Sequence, residues 1–134
     1  LHNFTSGDWR VRTLNSEDAD PGNHSTLSSN QFTFASGRYK CDISAPAFKV
    51  QHHQVRLTNV TDTTYYYGSI EHSEDTDWTS NRSVLSVYLD NATSKTFQVE
   101  HRSDTSYSTN GMGIGHTWAE SMFTLWETLR GKPL

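Results

Sequence analysis

Apolar and polar residues alternate along most of this chain, and no useful length of it repeats apolar residues at helical spacing. Trp9, Val11 and Thr13 alternate with Arg10 and Arg12, and Phe32 and Phe34 with Gln31 and Thr33. Tyr39, Cys41 and Ile43 alternate with Arg38, Lys40 and Asp42, the pattern of a strand wet on one face. Val55 and Leu57, Phe97 to His101, and Met112 to His116 continue the series. Pro21-Gly22, Ser36-Gly37, Ala45-Pro46, Asp90-Asn91 and Asn110-Gly111 read as turns between these runs. The spacing predicts roughly eight to ten short strands, the rhythm of a β-sandwich or barrel. Two longer polar loops are expected, Ser73 to Arg82 around Trp78 and Ser103 to Asn110 around Tyr107.

One run departs from the pattern. Met122 to Trp126 is apolar on both faces, as a strand buried on both sides requires. Met122, Leu125, Trp126 and Leu129 also fall at helical spacing, so a helical turn is the competing reading.

Composition narrows the class. The 134 residues make one domain, 1–134, of which 33% are hydrophobic and only 19% charged. Ser and Thr supply about a quarter of the chain and suit wet strand faces and turns. A net charge of −4 with no basic patch argues against nucleic acid as a partner. No apolar run approaches membrane-spanning length, so no membrane insertion is expected. The single cysteine, Cys41, excludes an intrachain disulfide.

Candidate chemistry is sparse. No Gly-x-Ser-x-Gly or His-Glu-x-x-His motif is present, and an enzyme is not expected. His52 and His53 are adjacent and would point to opposite faces of a strand. His53 and His101 are expected inside, as a hydrogen-bonded pair rather than a metal site. Glu71, His72, Glu74, Asp75 and Asp77 lack the glycine and spacing of a calcium loop and read as solvated acids. Gly111, Gly113 and Gly115 would share one bare strand face, open to a ligand or to a neighbouring backbone. Five Asn-x-Ser/Thr sequons, at Asn3, Asn23, Asn59, Asn81 and Asn91, point to surface positions. The aromatic residues are the best functional clue. Of Tyr65, Tyr66 and Tyr67 at least one must face out, and Tyr65, Tyr67, Trp78 and Tyr107 are the candidate receptor-binding residues.

Several ordered blocks carry a resemblance: Ser28–Tyr39, Ser44–Val50, His53–Asp62, Lys95–Arg102 and Thr109–Ile114. They resemble the C-terminal head domains of bacteriophage tail fibres and other virion-surface proteins, which are similar to the tumour necrosis factor and complement-type jelly rolls. The resemblance implies an all-β, antiparallel jelly-roll sandwich of about ten strands, assembled as a homotrimer. It places His52, Gln54, Arg56, Gln98, Glu100, Phe123 and Trp126 at the trimer interface, with Arg56 and Glu100 expected to pair across neighbouring strands or subunits. It makes residues 1–7 a stalk-proximal lead-in. The first residue, Leu1, is not Met, so the chain itself reads as a fragment or a processed product. No cofactor is implied beyond an ion that a ring of His52 side chains would hold on the threefold axis. The function implied is host receptor binding and adhesion at the virion surface, with a host glycan or protein and other virion proteins as partners. A capsid decoration trimer without a receptor and a secreted complement-type module are the alternatives.

Overall fold

The computed structural model describes residues 3–114 and 130–133. Nine strands are formed among them: β1 (Arg10–Val11), β2 (Ser25–Ser28), β3 (Gln31–Phe34), β4 (Gly37–Phe48), β5 (Gln51–Asn59), β6 (Thr64–Ser73), β7 (Ser80–Asn91), β8 (Lys95–Ser103) and β9 (Arg130–Pro133). Every pairing is antiparallel. Six strands form one sheet in the order β2-β3-β8-β5-β6, with β1 also on β8, and three form a second sheet in the order β7-β4-β9.

Among the described residues both sheets stay open; neither closes or curls. The jelly-roll expectation is therefore wrong, and the homotrimer expected from that architecture loses its structural footing. The division of strands shows the difference. A jelly roll splits its strands between two Greek-key sheets, whereas among the described residues six strands gather in one sheet and three in the other, and β4 and β7 pair along their whole 12 residues, from Gly37 opposite Asn91 to Phe48 opposite Ser80. Ala45-Pro46 was expected to turn the chain, yet it lies inside this ladder.

The alternation that predicted the strands also fills the core. Phe32, Phe34, Val55, Leu57, Phe97 and Val99 of the six-stranded sheet pack with Tyr39, Cys41, Ile43, Leu85 and Leu89 of the smaller one. Phe34 stacks on Tyr39 with ring centroids 4.4 Å apart, and Phe32 on Phe97 at 5.6 Å. Each such ring contributes about 2 kcal/mol by leaving water. Burial pushes the Cys41 thiol up to about 12, so it is a small core hydrophobe and not a reactive thiolate.

The first strand inverts the expected face. Val11 lies out at 44% exposure, while Arg12 and Leu14 go in. Residues 111–114 form a turn and irregular chain instead of the expected strand. A Cβ on Gly111 would stand 2.6 Å from both Phe4 Cβ and the Tyr107 carbonyl, so the bare face there serves a neighbouring backbone. Met122–Trp126, including the interface candidates Phe123 and Trp126, lies outside the described residues.

The sheets are stapled where β6 passes β7. A bulge between Gln54 and Arg56 takes Val55 out of the ladder with β6. Its amide donates instead to Ser83 Oγ on β7 at 2.9 Å, and that hydroxyl donates on to the Ser69 carbonyl. Gly68 permits the approach, because a Cβ there would lie 2.6 Å from the Val84 carbonyl.

Candidate functional site

Two clusters gather the aromatic residues singled out by sequence. The first sits at one end of the molecule, on the two-residue link between β4 and β5. Lys49 takes a left-handed φ of 56° there, a conformation unfavourable to a side chain by about 1 kcal/mol. The link holds because both long loops bind to it. Lys49 N donates to the Thr79 carbonyl and Val50 N to Ser73 Oγ, around the loop that carries Trp78. Phe48 N donates to the Gly111 carbonyl and Thr105 N to the Val50 carbonyl, around the loop that carries Tyr107.

Trp78 and Tyr107 therefore share one end. Phe48 is their common floor, with ring centroids 5.2 Å from Trp78 and 5.4 Å from Tyr107. Lys49 Nζ stands over three rings, 5.3 Å from Tyr107, 5.9 Å from Trp78 and 6.0 Å from Phe48. Trp78 remains 75% exposed. The carboxylates nearby are engaged elsewhere. Asp77 accepts from the Trp78 amide, Asp75 from Gln51 Nε2, and Asp104 from His52 at 2.8 Å. Glu74 accepts from the Asp75 amide. Among the described residues no carboxylate pairs with Lys49.

The second cluster lies on the outer face of the six-stranded sheet. Arg56 is sandwiched between Trp9 and Tyr65, its Cζ 4.2 Å from each ring centre. Tyr67 packs on Trp9 at 5.9 Å, and Tyr65 and Tyr67 stay 41% and 54% exposed while Tyr66 turns to the core. Arg56 Nε donates to Glu100 at 2.6 Å across β5 and β8, so the expected pair forms within one chain. Thr58 Oγ1 and Gln98 Nε2 donate to the same carboxylate, and Gln31 Nε2 donates to Gln98. His52, Gln54, Arg56, Gln98 and Glu100 share one face of the sheet, and Gln54 donates to the Gly68 carbonyl.

Between the two sheets, under the first cluster, runs a buried polar chain. Arg12 Nη1 contacts His101 Nδ1 at 2.8 Å, His101 Nε2 contacts His53 Nδ1 at 2.8 Å, and His53 Nε2 contacts Asn81 Oδ1 at 2.6 Å. His53 and His101 are hydrogen-bonded core, as expected. Among the described residues no group of three or more His, Cys, Asp or Glu is arranged to hold a metal ion. Burial holds both imidazoles below the ordinary histidine range, and the Arg12 charge lowers them further.

The sequons divide. Asn3 and Asn23 are exposed as expected, whereas Asn59 and Asn91 are buried, and Asn81 is half-buried and bound to His53 and to the His72 carbonyl. Sequence reasoning missed Lys49, Phe48, Trp9 and Arg12 as partners in these clusters. Lys49 carries no turn signature, since Gly or Asn is the usual occupant of its backbone conformation. An open groove of about 490 Å³ beside β1, lined by Asn3, Thr5, Arg10, Val11 and Thr13 among others, involves neither aromatic cluster.

No protein-family model and no curated protein matches the chain. The virion setting and the host-adhesion role expected from the sequence blocks rest on those blocks alone.

Proposed function

We propose that this domain is a non-enzymatic attachment module that binds a cell-surface glycan through Trp78 and Tyr107. The observation that carries the reading is Trp78: an indole left 75% exposed, yet anchored on Phe48 and flanked by Lys49 and Tyr107. A soluble domain gains nothing in folding from leaving such a ring in water, whereas an indole face suits the apolar face of a sugar ring. Asp77, Thr79 and Asn110 lie on the same two loops and supply polar groups for hydroxyls at the rim. The cluster is a platform and not a pocket, which fits attachment better than turnover. Tyr65 and Tyr67, read from sequence as part of the same surface, belong to the other cluster and have no part in this proposal.

The test is a panel of immobilised neutral, sialylated and sulfated glycans, probed with the wild-type chain and Trp78→Ala. Retention of at least one glycan by the wild type, weakened at least tenfold in the variant, supports the reading. No retention, or equal retention by the variant, overturns it.

A further inference from the structure

The buried polar chain ties together the loops that carry Trp78 and Tyr107. Asn81 is the second residue of β7, directly after the Trp78 loop. Its Oδ1 meets His53 Nε2, and its Nδ2 donates to the His72 carbonyl near the end of β6, so it joins both roots of that loop. At the other end Arg12 Nη1 donates to the Pro46 carbonyl and Nη2 to the Met112 carbonyl, beside the segment that binds Phe48 and follows Tyr107. Arg12, His53 and His101 are 1%, 2% and 0% exposed.

The direction of every bond in this chain is forced. Arginine only donates, so His101 Nδ1 must accept, and its proton sits on Nε2. His101 Nε2 then donates to His53 Nδ1, which leaves the His53 proton on Nε2, facing Asn81 Oδ1. Asn81 spends its amide hydrogen on the His72 carbonyl. Reversing any link would set a donor against Arg12. Both imidazoles are thus neutral, and within this chain of bonds an added proton has no acceptor left. On His53 Nδ1 it would meet the N–H of His101; on His101 Nδ1 it would meet Arg12.

We propose that the His53–His101 pair is a proton-sensitive lock on the aromatic end: taking up one proton sets N–H against N–H between the two imidazoles, breaks that link, and frees the roots of the Trp78 loop, which Asn81 holds to His53, from the Arg12 side that holds the Tyr107 loop. Among the described residues the groups that face the pair are Arg12 beside β1, His72 and Glu71 on β6, and Asn81 on β7, with the Phe4 ring against His101. Glu71 and the Asn81 bond favour the charged form of His53, but burial and Arg12 oppose it. The sign follows. Both groups sit below the ordinary value of 6.5 in the folded chain, so the lock is complete above that value and weakens as pH falls below it. The lock rests on the proposed function only for its consequence, loss of glycan attachment in acid.

Hydrogen exchange by mass spectrometry, without any glycan, separates the two. Between pH 7.5 and 4.5, after correction for intrinsic rates, peptides spanning 74–79 are expected to exchange at least tenfold faster in acid, while those from the β4–β7 ladder hold. His53→Gln keeps an N–H toward Asn81 but does not titrate, and is expected to remove that transition. Replacing the exposed histidines, by His52→Asn and His72→Asn, is expected to leave it in place. Should His53→Gln fail to fold, nitrogen NMR of the wild type decides: both histidines must be neutral at pH 7 and protonated on Nε2. A transition that survives His53→Gln, one that vanishes with His52 or His72, one that opens the β4–β7 ladder with the loop, or a different tautomer overturns the proposal.

Discussion

The Lys49 and Arg56 clusters are made of the same parts, a cation held over aromatic rings, and they differ in one respect. Arg56 has Glu100 at 2.6 Å and a polar ladder behind it, while Lys49 stands over three rings with its neighbouring carboxylates engaged elsewhere. The Arg56 and Glu100 side chains are 14% and 9% exposed, against 75% for Trp78. A desolvated pair with every oxygen engaged fixes strand register and leaves little to offer a ligand. A cation over rings with a bare indole beside it is incomplete as a folding element and complete as a platform. Similar residue chemistry thus divides into structure and recognition according to whether a carboxylate closes it.

The largest effect that separates the clusters is expected from Arg56→Met. It leaves Glu100 buried without its cation and is expected to cost about 3 kcal/mol in urea unfolding. A loss under about 1 kcal/mol would mean that the pair behaves as an ordinary surface bridge. Next is Trp78→Ala, expected to lower glycan affinity at least tenfold, or about 1.4 kcal/mol, while unfolding stays within about 0.5 kcal/mol of wild type. Tyr67→Ala inverts that profile: about 1 kcal/mol of stability lost with Trp9 as its partner, and glycan retention unchanged. The smallest is Lys49→Gly, where relief of the left-handed backbone offsets the lost ring contacts and the net change is expected within about 0.5 kcal/mol. A large stability loss in that variant would move Lys49 into the structural class with Arg56.

Much of the strand content was legible because period-two alternation is a local property. Phe32 and Phe34, Tyr39 to Ile43, Val55 and Leu57, and Phe97 to His101 all bury the face that their pattern names. The pattern misleads at β1, where Arg12 lies inside because His101 and two carbonyls wait for its guanidinium, a reason held by residues far away in the chain. It also misleads at Ala45-Pro46. Proline reads as punctuation, yet here it lies in a strand, paired opposite Arg82. The candidate site was half visible. The two loop aromatics were found by exposure logic, but their floor and their cation came from a hairpin link with no turn signature.

Alternation and composition by themselves determined an all-β domain of short strands, the facing of its central strands and the inward turn of His53 and His101, while the pairing of Arg56 with Glu100 was expected only once the resemblance made their strands neighbours. The facings follow from side-chain period, which is a local property. Only the tertiary structure decided how the strands divide between sheets. Ladder length and the β6–β7 staple set that division, leaving open sheets where the sequence blocks had implied a jelly roll. It also decided which aromatics meet which cation. Trp78, Tyr107 and Lys49 are brought together by hydrogen bonds between loops distant in sequence, and no local pattern encodes a contact of that kind.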